Sequence, residues 1–503
     1  MYRQSKKYFP TLYALLAALI IITYAVTVAF LIFLRNNFGI FGIALYGLRI
    51  FTALKIISSP SSEKSKCSWL TLILIFPNII IPAYFLFCHT TLSKNEKKAI
   101  KIISEQKPRI EHFSNKSSTK CNQNFSFLQE IANYDNAVIY KNTKASYISS
   151  ASKMKDMLIG DLRRARSFIF LEFYTVATGE FFGDICDILI KKAKEGVEVR
   201  LIYDEMGSIF RVPENFSEFL ESKNVIALSH AHGAGMLPSG FNNRNHRKIA
   251  VIDGEIAYTG GINLADEYIL PKKRIGEWRD SAVRLEGEAV AELVYIFLSD
   301  FALTTKSSED FFHYYRYRKK RHTGKVMLFG DGPKPFYKTN TAKKVLISML
   351  NSAEKYFTST TPYLICDSEI LSAIESAVLR GVKVKIAIPF RPDKFIPAFL
   401  TRIYARRLIE LGAEIYRYIP GFLHSKNYIT DGKYFLTGTV NLDFRSLLHN
   451  FEVGALFYEH EIISDAEADI CEIFNASERY EPKGKPILSK IVGSVMEIFA
   501  PLF

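Results

Sequence analysis

Two histidines, 178 residues apart, carry the same chemically useful neighbours. His246, Lys248 and Asp253 lie in NHRKIAVIDG, and His424, Lys426 and Asp431 lie in LHSKNYITDG. An asparagine follows each histidine by 17 residues, Asn263 and Asn441, just after Gly261 and Gly438. A single His-x-Lys pair is an ordinary surface feature; a repeat matched at four such positions has no packing rationale. The residue types suit chemistry at phosphorus. Imidazole can take a phosphoryl group covalently and can exchange protons near neutrality. Lysine is a compact cation for phosphate oxygens, and the asparagine amide is a further donor to them. One copy supplies one histidine and half the donors. Two facing copies supply a nucleophile on one side of phosphorus and a proton donor on the other, which suits two successive in-line displacements. The lysines and asparagines already offset the phosphate charge, so no metal and no cofactor is called for.

The elements that must position these residues also repeat. Apolar strands are expected at Ser167–Tyr174 (SFIFLEFY) and Tyr356–Tyr363 (YFTSTTPY), each followed by a helical stretch. A Gly-Val pair then opens another strand, GVEVRLIYD at Gly196–Asp204 and GVKVKIAIP at Gly381–Pro389. His246 comes 50 residues after Gly196, and His424 43 after Gly381. A strand-like run links each lysine to its aspartate, and its alternation sets His and Lys on one side. Strands alternating with helices predict an α/β fold, twice over, with the site at the junction of two pseudo-symmetric repeats.

Other residues near the motifs bear on the chemistry. Asp280 follows His246 by 34 residues and Glu452 follows His424 by 28, each at the start of a strand-like run. A carboxylate on one imidazole nitrogen would fix its tautomer and raise its basicity; a plain strand-end acid is the competing reading. Asp253 and Asp431 end the motif strands, roughly 15–17 Å from the lysines at ~3.3 Å per residue. That distance makes them ion-paired turn residues rather than bases. Tyr174 and Tyr363 end equivalent strands, as channel walls or as core aromatics. Arg445 and Ser446 follow the second asparagine and could meet a phosphate or a headgroup; pairing of Arg445 with Asp443 or Glu452 is an equal reading.

Composition points to a membrane. The 503-residue chain is 48% hydrophobic, and the excess is local. Tyr8–Leu34 and Ser68–Ser93 carry no charge over 27 and 26 residues, more than the roughly 20 that a spanning helix needs. Asn36–Leu48 is apolar but is followed by Arg49 and Lys55, so it is a third span, a re-entrant piece or an interfacial helix. The net charge of +14 is concentrated: residues 1–120 hold 16 Lys/Arg against four Asp/Glu, whereas the remainder holds 49 against 47. A basic excess beside apolar segments suits anionic headgroups rather than nucleic acid, whose enzymes carry their excess around the site. Lys94 to Arg109 after the last span, and Arg3, Lys6 and Lys7 before the first, set both flanks on the cytoplasmic side, which two crossings satisfy. Six cysteines without C-x-x-C or metal spacing read as buried free thiols.

The paired H-x-K-x4-D motifs resemble those of the phospholipase D superfamily. The strings NHRKIAVIDG, TGGINLADEY, LHSK and TGTVNLDFRSLLHNFEV resemble bacterial cardiolipin synthases in particular, over a stretch from about Cys67 to the C-terminus. Thr439 stands where that family usually has Ser, and keeps the hydroxyl. The resemblance implies catalytic His246, Lys248, Asp253, His424, Lys426 and Asp431. It makes Asn263, Asn441, Asp280 and Glu452 phosphate-binding or orienting residues, and His246 the nucleophile opposite His424 as acid/base. It implies transfer of a phosphatidyl group between two phosphatidylglycerol molecules, with phosphatidylglycerol and anionic lipids as partners and no nucleic acid. A hydrolase or a transferase to another alcohol would use the same residues. The expected organisation is a multi-pass membrane anchor over 1–93 and a basic linker over 94–134. A phospholipase D-like repeat over 135–310, a basic linker over 311–324 and a second repeat over 325–482 follow, then an apolar tail over 483–503.

Overall fold

A computed structural model describes residues 38–59, 63–87, 92, 94–115, 137–230, 243–271, 274–307, 309–316, 320, 322–482, 493, 496–498 and 500–502. The chain divides into two compact units, 1–89 and 90–503. Among the described residues of the first are three helices, α1 (Phe38–Ser58), α2 (Glu63–Ile75) and α3 (Pro77–Phe87). They meet around Ile56, Ile73, Ile81 and Tyr84, with the Lys55 ammonium 4.9 Å from the centre of the Phe85 ring.

The apolar run 68–93, expected to cross a bilayer as one helix, is interrupted. Pro77 has no N–H and disfavours helical backbone at the residue before it, so α2 stops at Ile75 and α3 restarts at Pro77. The Phe76 carbonyl accepts from the Ile79 and Ile80 N–H groups at 3.2 and 3.0 Å, which starts the new helix. The stretch 36–57 falls largely within a single helix, α1, that carries Arg49 and Lys55. Among the described residues no helix is long and apolar enough to cross a membrane; the expected span 8–34 lies outside them.

The second unit opens with α4 (Lys94–Asn115), where a linker is expected. Its Ile103 carbonyl accepts from the Tyr295 hydroxyl at 3.4 Å, so this basic stretch is a packed helix. Residues 116–134 lie outside the described part. The first repeat then runs β1 (Ile139–Tyr140), β2 (Thr143–Ile148), α5 (Ala151–Arg164), β3 (Phe168–Phe173), α6 (Glu180–Lys194), β4 (Glu198–Asp204), β5 (Val225–His230), β6 (Lys248–Ile252), β7 (Ile256–Gly260), β8 (Glu277–Arg279), β9 (Ala282–Gly287) and α7 (Val290–Thr305). The second runs β10 (Lys325–Asp331), α8 (Thr341–Ser352), β11 (Tyr356–Thr360), α9 (Ser368–Leu379), β12 (Lys383–Pro389), α10 (Phe395–Glu410), β13 (Glu414–Tyr418), β14 (Gly421–Leu423), β15 (Asn427–Thr430), β16 (Tyr434–Gly438), α11 (Phe444–Leu448), β17 (Glu452–Tyr458), α12 (Ile462–Asn475) and β18 (Ser477–Arg479).

Each repeat builds one mixed sheet, in the order β2-β9-β7-β6-β3-β4-β5 and β10-β17-β16-β15-β11-β12-β13, strand for strand equivalent. In each, three strands run parallel and the motif strand joins antiparallel to the first of them. The second sheet gains β1 and β18 at its edges, so the first strand of the chain's catalytic unit completes the other repeat's sheet. Period-two burial sorts the strands. Phe168, Phe170, Ile249 and Val251 enter a central core shared with Leu328, Ile429, Val453 and Phe457 of the second sheet, and with α7 and α12. The alternate residues Ile169, Leu171, Ala250 and Ile252 meet α5 and α6 on the outer face. Helices α8, α9 and α10 cover the second sheet in the same way. A helix lying between two sheets is apolar all round, as α7 is.

The linker expected over 311–324 is partly core: Phe311 and Tyr314 are buried, and the Tyr314 ring packs edge-on against Phe168 at 5.2 Å. In the apolar tail, where a packed or interfacial helix is expected, Met496 and Ala500 pack against the second repeat. Of the described cysteines only Cys366 is buried; Cys186 is half-buried and Cys67 and Cys471 are exposed, all with free thiols.

Candidate active site

The repeats join through backbone pairing beside both histidines. β8 runs parallel to β14, setting Arg279 opposite Leu423, and the His424 N–H donates to the Arg279 carbonyl at 2.7 Å. At the equivalent place Asn245 bridges Phe451, and the His246 N–H donates to the Phe451 carbonyl at 2.9 Å. The residue after Arg279 is Asp280, and the one after Phe451 is Glu452. Pairing the segments therefore exchanges the acids between repeats. His246 Nδ1 lies 3.1 and 3.0 Å from the two Glu452 carboxylate oxygens, and His424 Nδ1 lies 2.6 Å from Asp280 Oδ2. Each acid meets the histidine of the other copy. With Nδ1–H directed at a carboxylate, Nε2 of each ring is left as the reactive nitrogen.

Both lysines fold back on their own motif. Lys248 donates to the His246 carbonyl at 2.6 Å, and Lys426 to the His424 carbonyl while standing 2.9 Å from His424 Nδ1. Burial lowers every cation here. Lys248 falls to about 7 and Lys426 to about 8, against the pull of Glu452 and Asp280. Burial, with the lysine charges adding, lowers His246 to about 4 and His424 well below its usual range. Both imidazoles are thus neutral at pH 7. The acids differ: burial raises Asp280 to about 6, whereas Glu452, although buried, is held low by His246, Lys248 and Thr439. An anionic occupant would offset the two lysines and let an imidazole hold a proton.

The asparagines are close by but partly committed. Asn263 Oδ1 accepts from the Thr175 N–H at 3.0 Å, and its amide donates to the Tyr268 hydroxyl at 2.7 Å. The Asn441 amide donates to Asp443 at 3.1 Å, and its Oδ1 is buried without a partner. One amide N–H of each is left for a ligand. Gly261 is required by the site: a Cβ there would lie 2.1 Å from Asp280 Oδ1.

Asp253 and Asp431 are not brought to the histidines, which corrects their place in the catalytic set. Asp253 accepts from the N–H groups of Arg166, Ser167 and Phe168 at 2.7–2.9 Å. Asp431 accepts from those of Glu354, Lys355 and Tyr356 at 2.8–2.9 Å. Each sits in a left-handed turn, at φ 54°, and fastens the start of β3 or β11. The partners are amides where an ion pair is expected. Ser446 lends its N–H to Asp443, with its hydroxyl buried and unpartnered.

The sequence reading missed several contributors. Arg247, fully buried between His246 and Lys248, ion-pairs with Asp300 and donates to the Glu452 carbonyl at 3.0 Å. It thereby ties the first motif to the strand bearing its acid. Asn245 donates to Glu172 at 2.5 Å, and its N–H to Asp204 at 2.9 Å. Trp278, Tyr268 and Phe422 surround the His424 ring at 5.3–5.8 Å. Tyr174, which the sequence did single out as a channel wall or core aromatic, meets His246 at 5.1 Å. Trp278 had a signal, two residues before Asp280; Arg247 had none beyond its position inside the motif.

Known proteins resemble this chain over both repeats. A family described as "Cardiolipin synthase, PLD-like domain" matches residues 158–292 and 346–473, one match on each repeat. Cardiolipin synthase 2 of Bacillus cereus is 35% identical over 367 residues, 72% of this chain and 71% of that one. An uncharacterized protein of Streptococcus mutans is 35% identical over 467 residues, 90% of this chain and all of that one. Among solved structures, phosphatidylserine synthase of Haemophilus influenzae superposes with a TM-score of 0.59 at 13% identity, over 76% of this chain and 100% of that one, a likeness of fold. The chain therefore belongs to the phospholipase D-like cardiolipin synthase family, and is an enzyme of the phosphatidyltransferase type.

Proposed function

We propose that this enzyme makes cardiolipin from two phosphatidylglycerol molecules and releases glycerol. The observation that carries the reading is the pair of imidazoles, one from each repeat, each with Nδ1 on the other repeat's carboxylate and each beside a buried lysine. The bound phosphodiester offsets the lysine charges, and on substrate binding His424 takes up one proton from solvent at Nε2 while His246 stays neutral with a free Nε2 lone pair. His246 Nε2 attacks phosphorus, the bond from phosphorus to the glycerol oxygen breaks, and that oxygen takes a proton from His424 Nε2. A phosphatidyl-histidine remains, its ring charge balanced by ionised Glu452. A hydroxyl of the second phosphatidylglycerol then gives its proton to His424 Nε2 and its oxygen to phosphorus, and the bond from phosphorus to nitrogen breaks. Lys248, Lys426 and the free N–H groups of Asn263 and Asn441 hold the phosphate oxygens through both steps.

A lipid acceptor implies work at a membrane surface. Support comes from the apolar side chains that the first unit exposes, among them Ile43, Phe51, Leu54, Leu74 and Ile79. The relatives named cardiolipin synthase act in the same direction. The decisive experiment incubates the purified enzyme with phosphatidylglycerol vesicles alone and identifies the products. Cardiolipin and glycerol in equal amounts are expected. Phosphatidic acid with glycerol would make it a hydrolase, and no lipid turnover would remove the reading.

A further inference from the structure

A small recess lies beside the His424 side of the site. The recess lies where β12 ends and the chain turns toward α10; Tyr363, Phe390, Asp393, Arg402, Arg417 and Phe422 are among its walls. Phe422 also touches the His424 ring, with centres 5.7 Å apart. The charges of Lys394 and Asp393 reach His424 and Lys426, so this loop borders the proton-transfer end of the site. In the first repeat a helical turn, Glu205–Ser208, follows β4 directly. Gly207 there packs so closely on Tyr174 that a Cβ would lie 2.1 Å from its carbonyl oxygen, and Ser208 accepts from the Val176 N–H at 3.0 Å.

The polar groups of the recess have a definite chemistry. Tyr363 donates to Asp393 Oδ2 at 2.7 Å, while Asp393 Oδ1 is buried and has no partner among the described residues. Arg417 is held between the Phe390 and Tyr480 rings at 4.7 and 4.8 Å. A carboxylate oxygen awaiting a donor, beside aromatic faces, is the chemistry that recognises a vicinal diol. In-line displacement at phosphorus puts the departing and the incoming alcohol on the same side, opposite the nucleophile.

Resting on the transferase reading above, we propose that this recess is the alcohol subsite, in which Asp393 accepts a hydroxyl of a glycerol unit. It holds the glycerol that leaves in the first step and the glycerol moiety of the acceptor lipid in the second. The neighbouring hydroxyl, unbound by Asp393, is the one that exchanges its proton with His424. The enzyme thereby selects a polyol over water or a simple alcohol.

The test uses the full chain on phosphatidylglycerol vesicles with isotope-labelled glycerol and ethanol at equal concentration. The readout is the ratio of labelled phosphatidylglycerol to phosphatidylethanol. The wild type should favour glycerol, and Asp393→Asn should lower the ratio about tenfold, the size of one hydrogen bond to a charged group. Phe390→Ala, at a ring 39% exposed, should lower it less and tests the same recess without disturbing a buried polar group. Wild type without preference for glycerol, or both variants with an unchanged ratio, would overturn the subsite and leave phosphatidyl transfer standing. Should Asp393→Asn fail to fold, an unchanged ratio in Phe390→Ala would overturn it alone. Wild type that transfers to neither alcohol would sink the transferase reading and the subsite together.

Discussion

His246 and His424 hold equivalent places in the two repeats, yet their surroundings differ. Glu452 presents both oxygens to His246, takes a further hydrogen bond from Asn450 at 3.2 Å, and stays ionised. Asp280 presents one oxygen to His424, gives the other to the Ser281 N–H at 2.8 Å, and sits at about 6. Lys426 crowds His424 Nδ1, whereas Lys248 bonds the His246 carbonyl and lies 5.3 Å from the centre of the Tyr174 ring. A firmly ionised carboxylate suits a ring that must carry a positive charge once phosphorylated. An acid close to neutrality, beside a recess, suits a ring that passes protons to and from an alcohol. The difference supports His246 as nucleophile and His424 as acid/base, an assignment that near-identical motifs leave open.

The largest expected effect tests whether the two rings act as a unit. His246→Ala and His424→Ala should each cut turnover by roughly four orders of magnitude or more, with the double variant no worse. His424→Asn should leave an acid-labile, base-stable phosphatidyl group on His246, located by peptide mass spectrometry. Label on His424 in the reciprocal variant would reverse the assignment.

Replacing the acids separates the halves next. Glu452→Gln and Asp280→Asn should each lower turnover roughly 10²- to 10⁴-fold, since an amide no longer fixes the tautomer. Glu452→Gln should slow the glycerol burst that accompanies enzyme labelling, and Asp280→Asn should slow cardiolipin formation from labelled enzyme as well. Equal effects of both variants on both phases would mean that the dyads are interchangeable.

The pH profile of kcat/KM offers a finer comparison. Asp280 must be ionised to accept from His424, so activity should rise as pH increases through about 6. Lys248 and Lys426 must be protonated to hold phosphate, so it should fall as pH rises through about 7 to 8. Lys248→Arg, always charged, should move the alkaline limb upward. A limb that stays in place would assign it to another group.

The smallest effect on rate belongs to the motif aspartates. Asp253→Asn and Asp431→Asn should cost about 1–3 kcal/mol of stability, through weakened bonds to three amides each. A lower Tm with kcat largely kept is expected; loss of kcat in a folded variant would return these residues to the catalytic set.

Much of this was readable from residue patterns because it is local. The duplicated His, Lys and Asn pointed to residues that the fold brings together, and Gly-Val strands with period-two alternation pointed to two α/β repeats. Where hydropathy misled, a single residue was responsible: Pro77 breaks a run that is continuous by composition, because backbone hydrogen bonding is indifferent to apolar content. The aspartates ending the motif strands were legible as structural from strand length alone, but their amide partners lie about 75–87 residues away in sequence.

The sequence by itself determined which groups could act on phosphorus and that two copies were needed. Tertiary structure decided which acid serves which histidine. Parallel pairing of Gly421–Leu423 with Glu277–Arg279, and of Asn245 with Phe451, carries each carboxylate across the junction to the other repeat. Spacing along the chain cannot express that exchange. The asymmetry of the halves also comes from the fold: one loop after a parallel strand turns back onto its tyrosine and the other leaves a recess, and such packing sets the burial and charge on which the proton affinities depend.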